Sequence, residues 1–331
     1  MARVSAAFKV FGYSATVSSN RTTFLRRIGV ATVIGIAFGL LHATASARNG
    51  QGGGAAFKVT LLGTGTPTPS AERFGACILV EAGTRKLLFD AGRGCVIRLE
   101  QVHIPWRELT DVFLTHLHAD HTFALPDVFL MGWILGRTAS FDVHGPAGTR
   151  EMFTAMVHAL DVDIASRVVN GREPPKQSVT EIAPGVVYQR DGIKVTAFDV
   201  DHTVKPAFGY RIDFNGRSAV LSGDTKYSEN LIRNAHGVDV LVHEVVFGSP
   251  GLTPQQQFVM NNGHTVPEKA AQVFNTVKPR LALYTHVLLL GSASDDDVMS
   301  ATRKLYPGRV EMGTDLTEIN IGSGIDVRHL K

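Results

Sequence analysis

The chain of 331 residues has only two cysteines and two tryptophans, and just 19% of it is charged. Two cysteines cannot build a disulfide scaffold or a four-thiolate zinc site. Low charge beside 44% hydrophobic residues excludes a disordered chain, and the glycines follow no collagen-like period. Acidic residues are missing altogether from positions 1–47, which carry Arg3, Lys9, Arg21, Arg26 and Arg27. Long apolar runs are missing too. The apolar stretch Ile28 to Leu41 spans 14 residues, short of the about 20 that a bilayer core needs.

That stretch runs on without charge to Ala45-Ser46-Ala47. A basic start, a short apolar middle and an A-x-A end predict an export signal over residues 1–47, cleaved after Ala47, and a periplasmic or secreted protein. An uncleaved anchor is the alternative; after cleavage no permanent membrane span is expected. Asn20 to Arg26 is similar to a twin-arginine signal with Thr22 in the second arginine's place, so the Sec and Tat routes both stay open. Cleavage alters the charge balance. Lys+Arg falls from 33 to 28 against 30 Asp+Glu, turning a net +3 into −2, which makes nucleic acid an unlikely partner. A Gly-rich tether at 48–55 then precedes a single domain at 56–331.

Within that domain, β-like runs alternate with helix-like segments along the whole length. Strands are predicted near 57–62, 76–80, 86–89, 111–114, 141–144, 186–188, 193–200, 208–214, 218–221, 238–242, 281–284 and 310–312. Helices are predicted at 93–102, 125–135, 147–159, 228–235, 267–276 and 295–305. Residues 170–184, with three prolines, read as a surface loop. Interleaving of this kind makes a layered α/β domain with two β-rich blocks.

The 13 histidines are the strongest chemical signal. Thr115-His116-Leu117-His118-Ala119-Asp120-His121 follows directly on a predicted strand. Imidazole and carboxylate are donors that suit zinc. His116 and His118 can grip one ion, while Asp120 and His121 can face a second. Four residues cannot close two sites, so further ligands are expected at later strand ends. His202, Asp224 and His286 occupy such positions, with Asp224 the natural bridge. His103, His158, His236 and His329 read as surface or satisfied polar residues, and His144 as a turn residue with a minor claim on the cleft. Cys77 and Cys95 flank a hairpin-like segment; whether their sulfurs meet is open.

These motifs, with Gly63-Thr64-Gly65-Thr66-Pro67, Leu88-Phe89-Asp90-Ala91-Gly92, Ser222-Gly223-Asp224-Thr225 and Thr285-His286, resemble the metallo-β-lactamase-fold hydrolases from about Phe57 to Asp326. The resemblance implies a four-layer αββα sandwich and two Zn2+ ions, with Mn2+ or Fe as substitutes. It assigns His116, His118 and His202 to one ion, Asp120, His121 and His286 to the other, and Asp224 with a bridging hydroxide between them. Gly63 to Pro67, His243-Glu244 and Gly263-His264-Thr265 resemble signature segments of the tRNase Z-like group. There the Glu and the later His serve the leaving group, which maps onto Glu244 and His264.

Departures from the tRNA enzymes include Phe74 after Arg73, Val287 to Leu290 after His286, and no recognisable Gly-Pro-rich arm. The segments at 72–75, 89–94, 205–210 and 227–231 are instead similar to an exported arylsulfatase-type branch. The resulting expectation is a hydrolase of small anionic esters, aryl sulfates or phosphodiesters, with Asp120, Glu244 and His264 catalytic. Phe74, Phe208, Trp133 and Phe247 are candidates to line an aromatic pocket, and each fits the core equally well. Rival readings are a tRNase Z-like endoribonuclease, a lactonase or β-lactamase, and a non-enzymatic periplasmic metal-binding protein. A homodimer is consistent with the resemblance.

Overall fold

The computed structural model describes residues 56–330. The proposed signal at 1–47 and the tether at 48–55 lie outside the described residues. Six early strands form most of one sheet: β1 (Phe57–Gly63), β2 (Cys77–Ala82), β3 (Arg85–Phe89), β4 (Leu109–Phe113), β5 (Phe141–Gly145) and β6 (Gln177–Glu181). Seven more make the second: β7 (Gly185–Arg190), β8 (Ile193–Asp199), β9 (Phe208–Phe214), β10 (Arg217–Leu221), β11 (Val240–Gly248), β12 (Leu281–Leu290) and β13 (Val310–Met312). The hairpin β14 (Thr317–Ile321) and β15 (Ile325–His329) then returns to the first sheet beside β1.

Alternating apolar residues on the facing strands close the space between the sheets. Val59, Leu61, Phe89 and Phe113 from one side meet Tyr210, Ile212, Leu221 and Leu283 from the other. The outer faces are covered by helices. On the first sheet these are α1 (Cys95–Gln101), α3 (Leu125–Ile134) and α4 (Thr149–His158), with the short α2 (Ala119–Thr122) between α1 and α3 in the chain. After α5 (Asp161–Val169) and α6 (Glu229–Asn234) comes α7 (Pro254–Gly263), and α8 (Pro267–Val277) with α9 (Asp295–Arg303) completes the set. Helices α6, α8 and α9 cover the second sheet. This is the expected αββα sandwich.

Local departures from the sequence expectations have identifiable causes. Residues 170–184 contain the edge strand β6, whose polar side chains are mostly exposed and hide its pattern. Helices α5 and α7 were not expected: α7 has little amphipathic pattern, while α5 is amphipathic but short and fully buries none of its residues. Strands β11 and β12 run past their expected ends, through His243-Glu244 and Thr285-His286. Cys77 and Cys95 are joined as a disulfide with Cα atoms 5.9 Å apart. No helix among the described residues is long and apolar enough to cross a membrane.

Candidate metal centre

The ends of β3 and β4 set the first histidines. Asp90, just after β3, takes a positive φ of 59°. Its carboxylate accepts hydrogen bonds from the Thr115 amide at 2.8 Å and the Thr115 hydroxyl at 2.9 Å. The same carboxylate lies 2.8 Å from His121 Nδ1. That contact places the ring's proton on Nδ1 and leaves Nε2 free for the cluster. Asp120 and His121 sit on the short helix α2, where a loop was expected. Gly92 makes room for this turn, since a Cβ there would lie 2.2 Å from the Asp120 carbonyl oxygen.

His116 Nε2 and His118 Nδ1 are 2.9 Å apart, and His118 Nδ1 lies 3.2 Å from His202 Nε2. His202 Nδ1 donates to the Gly263 carbonyl at 2.8 Å, which again leaves Nε2 facing the cluster. Burial lowers the pKa of all three rings, that of His116 furthest. Three neutral imidazoles converging on one point form a ready ligand set.

The second group is Asp120, His121 and His286. Asp120 Oδ2 lies 3.2 Å from His286 Nε2 and 3.6 Å from His121 Nε2. His286 is the extra residue in a bulge, because Glu244 pairs with Thr285 while Val245 pairs with Val287. Its φ is 43°, an uncommon conformation for a side chain of this size. The bulge is braced from outside by the Val287 amide, which donates to the Thr64 carbonyl at 2.9 Å. A bulge re-aims a side chain without ending a strand, so His286 reaches the centre from within β12.

Asp224 stands between the two groups. Its Oδ2 is 3.4 Å from His286 Nε2, 3.5 Å from His121 Nε2, 3.8 Å from His202 Nε2 and 3.9 Å from His116 Nε2. Gly223 at φ 59° turns the chain into it, and a Cβ there would meet the Phe208 carbonyl at 2.5 Å. Asp224 Oδ1, His121 Nε2 and His286 Nδ1 are buried without hydrogen-bond partners. Orphaned buried donor atoms in a histidine–carboxylate cluster fit a bound cation pair.

Glu244 and His264 border the same cluster. Glu244 is fully buried and accepts from the Thr265 amide at 2.9 Å and the Thr225 amide at 3.2 Å. Its other oxygen lies 3.4 Å from His264 Nδ1. Burial opposes a charge on His264, but the adjacent Glu244 carboxylate outweighs it and raises the ring's pKa to about 9. His264, His118, Asp120, His202, Asp224 and His286 all open onto one cleft of about 260 Å³.

All the residues singled out for this centre therefore meet in space. Other residues named from the sequence lie outside it. His243 is buried edge-on against Phe274, with Nδ1 on its neighbour's carbonyl. His144 stacks on Phe113 at 4.6 Å beside Asp111, between the sheets and away from the cleft. None of the four aromatics named as pocket candidates lines it. Phe208 is core, Phe74 lies under the Arg98 guanidinium, Trp133 borders a separate cavity, and Phe247 packs on the second sheet's helical side. Asp90 stands in the Leu88–Gly92 motif, and an acid at a buried strand end is the sequence signal for its role.

Comparison with known proteins agrees with this geometry. Residues 85–287 match the family model of the β-lactamase superfamily domain. A ribonuclease Z of Mycobacterium marinum is 34% identical over 274 residues, which cover 80% of this chain and 98% of that relative. Among solved structures, the metallo-β-lactamase fold protein YhfI from Bacillus subtilis superposes with a TM-score of 0.64 at 20% identity, over 80% of this chain and 100% of that one. Human tRNase Z, short form, gives a TM-score of 0.62 at 20% identity, over 80% of this chain and 99% of that one.

The ribonuclease relatives overturn the expectation that nucleic acid is an unlikely partner. That expectation rested on net charge, which is a sum over the whole surface, whereas a phosphate backbone meets local charge. None of the relatives named above is a sulfatase. The chain belongs to the β-lactamase superfamily, as a metal-dependent hydrolase related to the ribonucleases Z.

Proposed function

We propose that the protein is a tRNase Z-like endoribonuclease, hydrolysing phosphodiester bonds in RNA. The observation that carries this reading is the 34% identity to a ribonuclease Z across 98% of that enzyme's length. His116, His118 and His202 would hold one cation, and Asp120, His121 and His286 the other, with Asp224 between them. Zinc suits these donors, and Mn2+ or Fe could replace it. When bound, a cation pair supplies Lewis acidity and lowers the pKa of water toward ~7.

The side chains account for the remaining chemistry. Asp120 orients the attacking water and takes its proton at a carboxylate oxygen. His286 beside Asp120 helps hold that carboxyl below its ordinary pKa, against the opposing effect of burial. As the water oxygen bonds to phosphorus, the bond from phosphorus to the leaving oxygen breaks. His264, oriented by Glu244, gives its proton to that oxygen. A sulfate ester offers a similar tetrahedral anionic centre, and the arylsulfatase-type segments at 205–210 and 227–231 support it as the second reading.

Zinc-loaded protein, offered a 3′-extended tRNA, a bis-aryl phosphodiester and an aryl sulfate, is expected to cleave the first two. Turnover of the aryl sulfate alone would replace this reading with the second. We also propose export, supported by the 1–47 segment and by a Cys77–Cys95 disulfide that suits an oxidising compartment. Cell fractionation with N-terminal sequencing tests it; an intact Met1 in the cytoplasmic fraction would rule it out.

A further inference from the structure

We propose that Phe258 is a stacking platform for a nucleobase carried on the leaving-group side of the scissile ester; this rests on the phosphodiester reading above. Helix α7, which bears Phe258, is anchored at both ends. At its start, Thr253 and Gln256 form a capping box with Pro254 in the first turn. At its end, the Gly263 carbonyl holds His202 Nδ1 at 2.8 Å, and His264 follows as the cap residue. The helix is thus tied to the metal-ligand cluster and leads straight into the proposed acid.

Gln255, Phe258 and Val259 are spaced so that they share one face of α7. That face lines the same cleft as His118, Asp120 and His264. Phe258 is 57% exposed and belongs to none of the three hydrophobic clusters among the described residues. A single exposed apolar side chain needs no explanation by itself. This one stands in the same cleft as the anion-handling cluster, on the helix that ends at His264. An anionic ester with a flat ring attached to its leaving oxygen matches both halves of such a cleft. Base–aromatic stacking is strong and tolerant of sequence, which suits a site that must accept different bases.

The test uses zinc-loaded protein and two RNA substrates, one with a base 5′ to the cleaved phosphate and one abasic at that nucleotide. Phe258→Ala is expected to raise KM for the first about 5- to 150-fold, with kcat little changed. It should leave the abasic substrate unaffected, and Phe258→Trp should restore binding. Tryptophan fluorescence of Phe258→Trp should also be quenched by adenosine 3′-monophosphate and not by ribose 3-phosphate. Trp106 and Trp133, 7% and 4% exposed, supply a constant background. An unchanged KM for Phe258→Ala, an equal loss on the abasic RNA, or absent quenching would overturn the proposal. If the wild type cleaves no phosphodiester, the endoribonuclease reading fails, and the fluorescence titration still decides the stacking role.

Discussion

Asp90 Oδ2 lies 2.8 Å from His121 Nδ1 and 2.9 Å from the Thr115 hydroxyl, so a single buried carboxylate aligns two residues of the Thr115–His121 motif. Asp90 reaches no other atom of the cluster. Its contribution is to hold one imidazole in one tautomer and one direction.

Asp90→Asn should therefore weaken cation binding by about 10- to 100-fold. Activity should return at high metal concentration. Competition with a chromophoric chelator measures the affinity, and unchanged affinity would remove Asp90 from this role.

His264→Ala should slow cleavage of esters with poor, alkoxide-like leaving groups by about 10²- to 10⁴-fold. Nitrophenyl esters, whose leaving oxygen needs little protonation, should lose far less. A leaving-group series settles the point: a uniform loss would mean that His264 does not act as the acid.

Removing metal with a chelator should abolish turnover and lower stability. The cluster groups four histidines about the Asp224 carboxylate, and a cation at 100 times its Kd stabilises the native state by about 2.7 kcal/mol. Restoring zinc should raise Tm by about 5–10 °C. A melting curve indifferent to zinc would contradict a site built from these residues.

Gly92→Ala tests the close backbone approach beneath Asp120. A methyl group 2.2 Å from the Asp120 carbonyl should destabilise the protein by about 1–3 kcal/mol and impair activity through α2. Gly324→Ala, where the added carbon meets nothing within 4 Å, is the control. Urea denaturation midpoints compare the two, and equal midpoints would show that the approach at Gly92 is readily relieved.

Much of the centre was legible in one dimension. His116, His118, Asp120 and His121 lie so close in sequence that a single strand end delivers them together. The alternation of strands and helices was enough for the layered class, because periodicity depends only on which neighbours face the core. His286 was reached by a partly mistaken route. It was expected at a strand end and stands in a bulge inside β12, a feature that depends on pairing with β11.

The layered α/β class and the gathering of His and Asp donors at strand ends could be read from residue types and spacing, since donor chemistry and hydrophobic period are local properties; the αββα arrangement came from the family resemblance. Tertiary structure alone decided the rest. Asp90 turns toward His121, the bulge in β12 aims His286 at the Asp224 carboxylate, and α7 brings Phe258 into the cleft while the candidate aromatics lie elsewhere. These are relationships between segments far apart in the chain, set by how two sheets pack and where a bulge or a glycine lets backbone pass. Net charge misled about nucleic acid for the same reason: a sum over the sequence carries no information about where on the surface the charges gather.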